Sequence, residues 1–394
     1  MPEPTTPNPE FIPAGGTPQV DLAFATSVAG SNTSTSIVVD PTGEPQITLG
    51  KRKLAERHDI VYATPRDADG NPFPLRLDLL VPDTDEPAPL VLFVPGGGFM
   101  IARKELSPET KAYVAEAGFA VASIEYRTIV QGATFREAVA DVQSALRHLR
   151  AHAEELGVDT RRVALWGESA GAYLAALTGV LGGRSLSDPA TTDPATTDPE
   201  AADPATTDPE AADPATTDPE AADPATTDPA TTAPAITDPE AADPDAAVTA
   251  VVDTFGASDL TRIAADFDPA TQAAYAGADN IAAMFVNGRT SGKSLADDPE
   301  AAAESNPVSH LGSTPALPAF LLLHGIADPV ISPSQTLLLH EALRAHGADS
   351  TRVVLLGAGH GDLAVLADAE VGQPWSTRRT MDLITDFLHR TLQG

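Results

Sequence analysis

From about residue 57 the chain alternates short apolar runs with longer amphipathic ones. "HDIVYATP" and "LRLDLLVP" read as two strands, and the alternation in the second suits an antiparallel strand at a sheet margin. "PLVLFVPGGG" is a continuous apolar strand running into glycines, "ELSPETKAYVAEAG" a helix stopped by Gly118, and "FAVASIEYR" a buried strand. "TFREAVADVQSALRHLRAHAEELG" has helical periodicity up to Gly157, and "RRVALWGESAG" is a strand that breaks into a turn. The alternation resumes at "AAVTAVVDTFGA", a strand, followed by a helical stretch over 269–286. Then come the strand "PALPAFLLLHG", the helix "SPSQTLLLHEALRAHG", the strand "TRVVLLGAG" and a final helix, "STRRTMDLITDFLHRTL". Unbroken apolar strands separated by helices predict an α/β domain with a mostly parallel sheet, helices on both faces and an antiparallel N-terminal margin.

Two segments fall outside this rhythm. Residues 1–54 are rich in Pro, Thr, Ser and Gly, with only "TSIVVD" suggesting a strand, and read as a loosely ordered arm. Residues 188–247 are twelve pentapeptides, nearly all DPATT or DPEAA. A period of five fits neither a helix nor a strand, and each Pro removes a backbone donor and disfavours helix at the residue before it. With almost no large apolar side chain, burial cannot offset the entropy of ordering, so an extended, disordered insert is expected. The domain is therefore expected to comprise 55–187 and 248–394, interrupted by 188–247. The repeat could also chelate calcium, but it lacks the glycine turn that brings calcium-binding oxygens together.

Charge sharpens this picture. The chain carries 24 basic and 56 acidic residues, a net −32, and half of that comes from the 12 Asp and 4 Glu of the insert. Such an excess argues against nucleic-acid backbones and anionic membranes as partners. The absence of cysteine excludes disulfides, thiolate nucleophiles and cysteine-ligated zinc. The N-terminal stretch has no basic start followed by an apolar run, and no apolar stretch reaches about 18 residues. A cytoplasmic protein without a membrane span is the expectation; oligomeric state is not legible.

The candidate chemistry begins at Gly167-Glu168-Ser169-Ala170-Gly171. A bare G-x-S-x-G is common, but this one follows the strand "VALW" and precedes the helical run "AYLAALTGVL". In that context a serine on a sharp turn holds its hydroxyl above the sheet edge at a helix N-terminus. The alternative is an N-cap serine between glycines. A nucleophilic serine needs a base, and the base an orienting carboxylate.

Among nine histidines, His148, His152, His340, His346 and His389 fall in helices with polar surroundings and are expected to face solvent, while His58 opens a strand and His310 sits in a loop. His360, in "LLGAGHGD", follows a strand and has small neighbours that leave its ring room to reach across a site. Asp328, in "LLLHGIADPVISPSQ", follows another strand, on the carboxyl edge where open α/β sheets bind ligands. An exposed loop histidine and a turn-forming Asp before Pro are the plainer alternatives. Gly96, Gly97 and Gly98 end a strand, where backbone N–H groups can face an oxyanion together with that of Ala170; a flexible turn would use the same residues. Phe99, Met100, Phe255, Phe285 and Trp375 suit either pocket walls or core.

Taken together, "PGGGF", "SIEYR", "DVQSALRHLR", "WGESAGAYLA", "VVDTFGASDL", "SNPVSHL", "LHGIADPVISPSQ" and "GAGHGD" resemble an α/β-hydrolase of the esterase/lipase group. The resemblance is to the branch with hormone-sensitive-lipase-like and bacterial feruloyl-esterase-like enzymes, and runs from about residue 57 to the end, outside the insert. It implies Ser169 as nucleophile, Asp328 as acid and His360 as base, with Gly97, Gly98 and Ala170 as oxyanion donors and no cofactor or metal. It further implies a serine carboxylesterase acting on a small-molecule ester of short-chain or aryl-acyl type. An amidase or arylformamidase of the same fold, or a non-catalytic binding protein using the acidic repeat, are the alternatives. The family usually has His before the glycines, whereas this chain has Pro95, which puts the shape of the oxyanion loop in question. Ser169 and Asp328 are 159 positions apart, or 99 without the 60 repeat residues, as if the insert were added to a complete domain.

Overall fold

The computed structural model describes residues 24–29, 32–186, 242–314, 316–362 and 373–394, which fall in one compact unit. Its strands are β1 (Ile37–Val39), β2 (Leu54–Ala63), β3 (Leu75–Pro82), β4 (Ala88–Val94), β5 (Ala120–Ile124), β6 (Val158–Glu168), β7 (Ala250–Thr254), β8 (Ala319–Gly325) and β9 (Ser350–Leu355). The helices are α1 (Pro108–Glu116), α2 (Phe135–Ala151), α3 (Ala153–Leu156), α4 (Ala170–Leu181), α5 (Pro269–Tyr275), α6 (Ile281–Asn287), α7 (Pro299–Glu304), α8 (Ser334–Ala345) and α9 (Arg378–Leu392).

The strands form one sheet in the order β1-β9-β8-β7-β6-β4-β5-β3-β2. From β1 to β5 neighbours run parallel, while β3 pairs antiparallel with β5 and β2 with β3. This is the expected α/β architecture, antiparallel margin included. Successive side chains of a strand point to opposite faces, so a strand buried on both faces must be apolar throughout. In β4, Leu90, Leu92 and Val94 enter one core, shared with α2, α4 and α8. Val91 and Phe93 enter the other, shared with α1 and α9. Burying each such side chain contributes roughly 1.5–3 kcal/mol.

Local signals explain most element boundaries. Thr134 and Glu137 form a reciprocal capping box that starts α2. The long helix expected through Gly157 is interrupted at His152, so that α2 ends at Ala151 and α3 follows. The helical stretch expected over 269–286 is likewise two helices, because Asn280 caps a new start by accepting from the N–H groups of Ala282 and Ala283.

The N-terminal segment contributes more than its composition indicates. Val39 is 2% exposed and its strand pairs in parallel with β9. Further upstream, Ala25 N–H donates to Pro329 O at 2.9 Å and Val28 bridges to Phe267. Residues 1–23, and the repeat up to residue 241, lie outside the described residues.

The last pentapeptide of the repeat is part of the folded unit. Asp243 N–H donates to Gly183 O at 3.0 Å, Arg147 pairs with Asp243 at 3.2 Å, and Arg150 donates to Ala247 O at 2.7 Å. The chain thus leaves after α4 and returns at a point hydrogen-bonded to its exit. Joining Ser187 to Ala242 therefore asks for little loop closure. The expected result of deleting 188–241 is a protein whose midpoint of thermal unfolding moves by less than about 3 °C. Deletion extended through Ala247 is expected to cost more, since it removes the partners of Arg147 and Arg150. Scanning calorimetry of both deletions distinguishes the two.

Candidate active site

β6 lies near the centre of the sheet, with residues 163–167 apolar and buried, and Ser169 follows directly after its last residue, Glu168. Ser169 sits at φ 55° and ψ −121°, a backbone state that non-glycine residues rarely occupy and that costs on the order of 1–3 kcal/mol. Its N–H donates to Thr254 O at 3.0 Å, and α4 starts immediately after it. Crowding explains the flanking glycines: a Cβ on Gly171 would lie 2.0 Å from Val94 O, and one on Gly167 2.3 Å from Gly171 O. The turn lifts the hydroxyl off the sheet edge at the amino end of a fully buried helix.

Because β6, β8 and β9 run parallel, the loops that follow them open on the same edge. The loop after β8 brings Asp328, and the loop after β9 brings His360. Ala327 N–H donates to Ala358 O at 3.0 Å and ties the two loops together. Ser169 Oγ lies 2.8 Å from His360 Nε2, and His360 Nδ1 lies 2.7 Å from Asp328 Oδ2. The structure thus brings together the three side chains selected from sequence, in contact and in the expected order.

Asp328 is fully buried, and its Oδ1 accepts from the N–H groups of Val330 and Ile331 at 2.8 and 3.0 Å. Burial alone would raise its carboxyl, but the His360 charge and hydrogen bonds from His324 and His360 hold it well below the usual carboxylate range.

The glycine run lies directly against Ser169: a Cβ on Gly96 would be 3.2 Å from Ser169 Cβ. Gly97, at φ 143°, leaves no room for a side chain, because a Cβ there would meet Ile101 O at 2.3 Å. The loop is anchored on both sides. Tyr126 Oη donates to Pro95 O at 2.9 Å, and Phe99, itself at φ 60°, stacks on Phe285 at 4.2 Å and meets Tyr173 edge-on at 5.6 Å. The tyrosine of "SIEYR" therefore fixes the start of the loop where Pro95 stands in place of histidine.

The aromatic residues left open between pocket and core are buried: Phe99, Phe255, Phe285 and Trp375 are each at most 6% exposed. Two of them pack around His360. Phe255 meets the His360 ring edge-on at 4.8 Å, Trp375 meets Phe255 at 4.6 Å, and Trp375 Nε1 donates to Gly359 O at 3.1 Å. Of the histidines expected to face solvent, His340 does not: it is 2% exposed, with Nδ1 2.9 Å from Ser350 Oγ. The helix amphipathicity that misplaced it says nothing about the strand hydroxyl that meets its Nδ1. His324 is a further residue that sequence reasoning passed over. It is the penultimate residue of β8, four positions before Asp328, and is fully buried, its Nε2 3.3 Å from Asp328 Oδ2. The available signal was an unexplained histidine inside an otherwise apolar strand.

Two more carboxyls flank the elbow, Glu168 half-buried and Asp253 fully buried. Burial pushes Glu168 up to about 7, partly opposed by a 2.5 Å hydrogen bond from Ser107 Oγ and by the charge of Lys111. Asp253, on β7 beside Gly167, is also pushed up to about 7 by burial, against a 2.8 Å hydrogen bond from Gly256 N–H. Its Oδ2 has no hydrogen-bond partner among the described residues. An acid whose folded pKa lies above its unfolded value of about 4 keeps its proton longer when folded, so its contribution to stability falls as pH rises from about 4 to 7 and is flat above. Asp253→Asn removes the charge but keeps the acceptor for Gly256. The variant is expected to be more stable than wild type by roughly 1–3 kcal/mol at pH 8 and nearly equal to it at pH 4. Urea unfolding at the two pH values checks this, and a pH-independent difference would contradict it.

Comparison with known proteins places this geometry in a family. A truncated carbohydrate esterase from gut microbiota superposes with a TM-score of 0.60 at 20% identity, over 90% of this chain and 100% of the other. A thermophilic esterase of Thermogutta terrifontis superposes with a TM-score of 0.53 at 19% identity, over 86% of this chain and 92% of that one. At such identities the likeness speaks for the fold alone, which is the α/β-hydrolase fold. A probable isoprenylcysteine alpha-carbonyl methylesterase of Arabidopsis thaliana is 36% identical over 124 residues, 31% of this chain and 24% of its own length. A counterpart from Oryza sativa subsp. japonica is 37% identical over 102 residues, again 24% of its length. The chain thus spans about a quarter of the curated relatives it matches. Among the described residues no helix is long and apolar enough to cross a membrane. The sequence profile of the BD-FAE family matches residues 77–202 and 229–343, which include the glycine loop, the serine elbow and the acid loop. Since this match covers more than half of the chain, the protein belongs to the BD-FAE family.

Proposed function

We propose that the protein is a serine carboxylesterase that hydrolyses short-chain or aryl-acyl esters through an acyl-enzyme on Ser169. The observation that carries this reading is the unbroken contact from Asp328 Oδ2 through His360 to Ser169 Oγ, at 2.7 and 2.8 Å, on the carboxyl edge of a parallel sheet. The names of the plant relatives, methylesterases, and of the structural neighbours, esterases, accord with ester cleavage.

In this mechanism His360 donates its Nδ1 hydrogen to Asp328, which leaves the Nε2 lone pair facing Ser169. Ser169 Oγ attacks the ester carbonyl carbon as its proton passes to Nε2, and Asp328 stabilises the resulting imidazolium. The carbonyl oxygen becomes an oxyanion that accepts from the N–H groups of Ala170, at the amino end of α4, and of Gly97 and Gly98. On collapse the bond to the alcohol oxygen breaks and Nε2 returns its proton to that oxygen. Water, deprotonated by His360, then attacks the acyl-enzyme, and a second collapse releases the acid and restores Ser169. Ile281, whose Cδ1 would be 3.6 Å from a Cβ on Gly98, and the Phe99–Phe285 stack bound the loop with bulky apolar groups, which favours small or planar acyl groups.

Hydrolysis of p-nitrophenyl esters of increasing acyl length, an aryl-acyl ester and an N-formyl anilide, by wild type and Ser169→Ala, tests the proposal. The expected order places the acetyl and aryl-acyl esters above long-chain esters and the anilide. Equal rates for wild type and Ser169→Ala would overturn it.

A further inference from the structure

Asp328 has a second histidine on the same oxygen that serves His360. His324 is fully buried at the penultimate position of β8, and its Nε2 lies 3.1 Å from Ile331 O and 3.3 Å from Asp328 Oδ2. Both neighbours are acceptors, so Nε2 must carry a hydrogen. The other ring nitrogen, Nδ1, is 3.2 Å from Thr336 Oγ1. That hydroxyl already accepts from Arg352 Nε at 3.0 Å, and its alternative acceptor, Pro333 O, is more distant at 3.4 Å. The hydroxyl hydrogen is therefore free to point at Nδ1, which selects the neutral tautomer with its hydrogen on Nε2. Arg352 is held in turn: Nη2 donates to Pro333 O at 2.9 Å, and Nη1 to Ser36 Oγ at 2.7 Å and Asn32 O at 3.2 Å.

We propose that His324, held by Thr336 and Arg352, is a positioning residue that directs a second N–H at Asp328 and so limits the negative charge that Asp328 presents to His360. This rests on the reading of Ser169, His360 and Asp328 as the reacting set. The physical reason is competition for one oxygen. A carboxylate oxygen with a second donor is a weaker partner for an imidazolium, so removing that donor lets Asp328 hold a proton on His360 more strongly. At the acidic end His360 must lose that proton before it can act as a base, so the acid limb of kcat/KM moves to higher pH when His324 no longer donates.

Other ionisable groups face the pair from every side and stay constant in the comparison. Tyr275 of α5 donates to Val330 O at 3.1 Å and interacts electrostatically with Asp328. Glu168 of β6 interacts with both His360 and Asp362, and Arg352 lies on β9 beyond Thr336.

The test is the pH profile of kcat/KM on p-nitrophenyl acetate for the full chain and three variants. His324→Leu is expected to raise the acid limb by roughly 0.5–1 pH unit, and His324→Gln, whose amide nitrogen can replace Nε2 as a donor, to keep it within about 0.2 unit of wild type. Thr336→Val, which keeps the shape but removes the hydroxyl that donates to Nδ1 and so polarises the Nε2–H, is expected to shift the limb about half as far as His324→Leu. A residue that only filled space would change kcat or thermal stability without moving the limb. An unmoved limb in His324→Leu, or the same shift in His324→Gln as in His324→Leu, overturns the inference. If His324→Leu does not fold, an unmoved limb in Thr336→Val does so. An inactive wild type, or a Ser169→Ala variant as active as wild type, instead removes the reading on which the inference rests.

Discussion

Ser169→Ala is expected to lower kcat on p-nitrophenyl acetate by at least about 10⁴-fold, with the midpoint of thermal unfolding within about 2 °C of wild type. Both halves follow from the geometry. In the proposed mechanism, without Oγ His360 has no proton to accept and no covalent intermediate forms, so acceleration through the acyl-enzyme is lost as a unit. The N–H groups of Gly97, Gly98 and Ala170 are untouched, so a residual rate above that in water is expected from oxyanion binding alone. Stability changes little because the unusual backbone state at φ 55° is imposed by crowding around Gly167 and Gly171 and by the bond from Ser169 N–H to Thr254 O. Stopped-flow or steady-state assays, with calorimetry on the same samples, check both statements. A large fall in thermal stability would mean that the hydroxyl supports the elbow itself.

Asp328→Asn is expected to cost about 10³- to 10⁴-fold in kcat with little change in KM. The side chain keeps its size, and Asn Oδ1 can still accept from the N–H groups of Val330 and Ile331, which hold Asp328 Oδ1 at 2.8 and 3.0 Å. The amide NH₂ then falls where Oδ2 stood and turns a donor toward His360 Nδ1. His360 can meet it only by presenting a lone pair at Nδ1, which moves its hydrogen to Nε2 and points that hydrogen at Ser169. The base is then in the wrong tautomer. His324 faces the same NH₂ with its own N–H, so the substitution opposes two donors at once. A variant retaining more than about a tenth of wild-type kcat would show that the charge of Asp328 is dispensable.

Much of this architecture is legible without coordinates, for reasons specific to each element. Continuous apolar runs such as "PLVLFV" and "VALWG" can satisfy both faces of a buried strand and little else, which is why β4 and the second half of β6 lie where the pattern places them. The elbow was legible because small residues on both sides of a serine, between a strand and a helix, leave few backbone solutions. The break at Asn280 was not, since a side-chain cap inside a helical periodicity competes locally with the helix it interrupts. β1 shows in the sequence only as the short apolar run of "TSIVVD", too brief for a period, and the edge of β9 supplies its hydrogen bonds.

The site divides along the same line. Sequence alone determined which serine, acid and histidine stand at the ends of strands β6, β8 and β9, because strand order and parallel direction carry all three to one edge. It also carried the expectation that the acidic pentapeptides lie apart from the turn at Ser169. Only the tertiary structure decided how the three side chains are held. Tyr126 pins Pro95, Phe255 and Trp375 back the His360 ring, and His324 and Thr336 stand behind Asp328. These partners come from different strands and helices, tens to hundreds of residues apart in the chain. A hydrogen bond or ring contact across that distance leaves no period or spacing in the sequence to read.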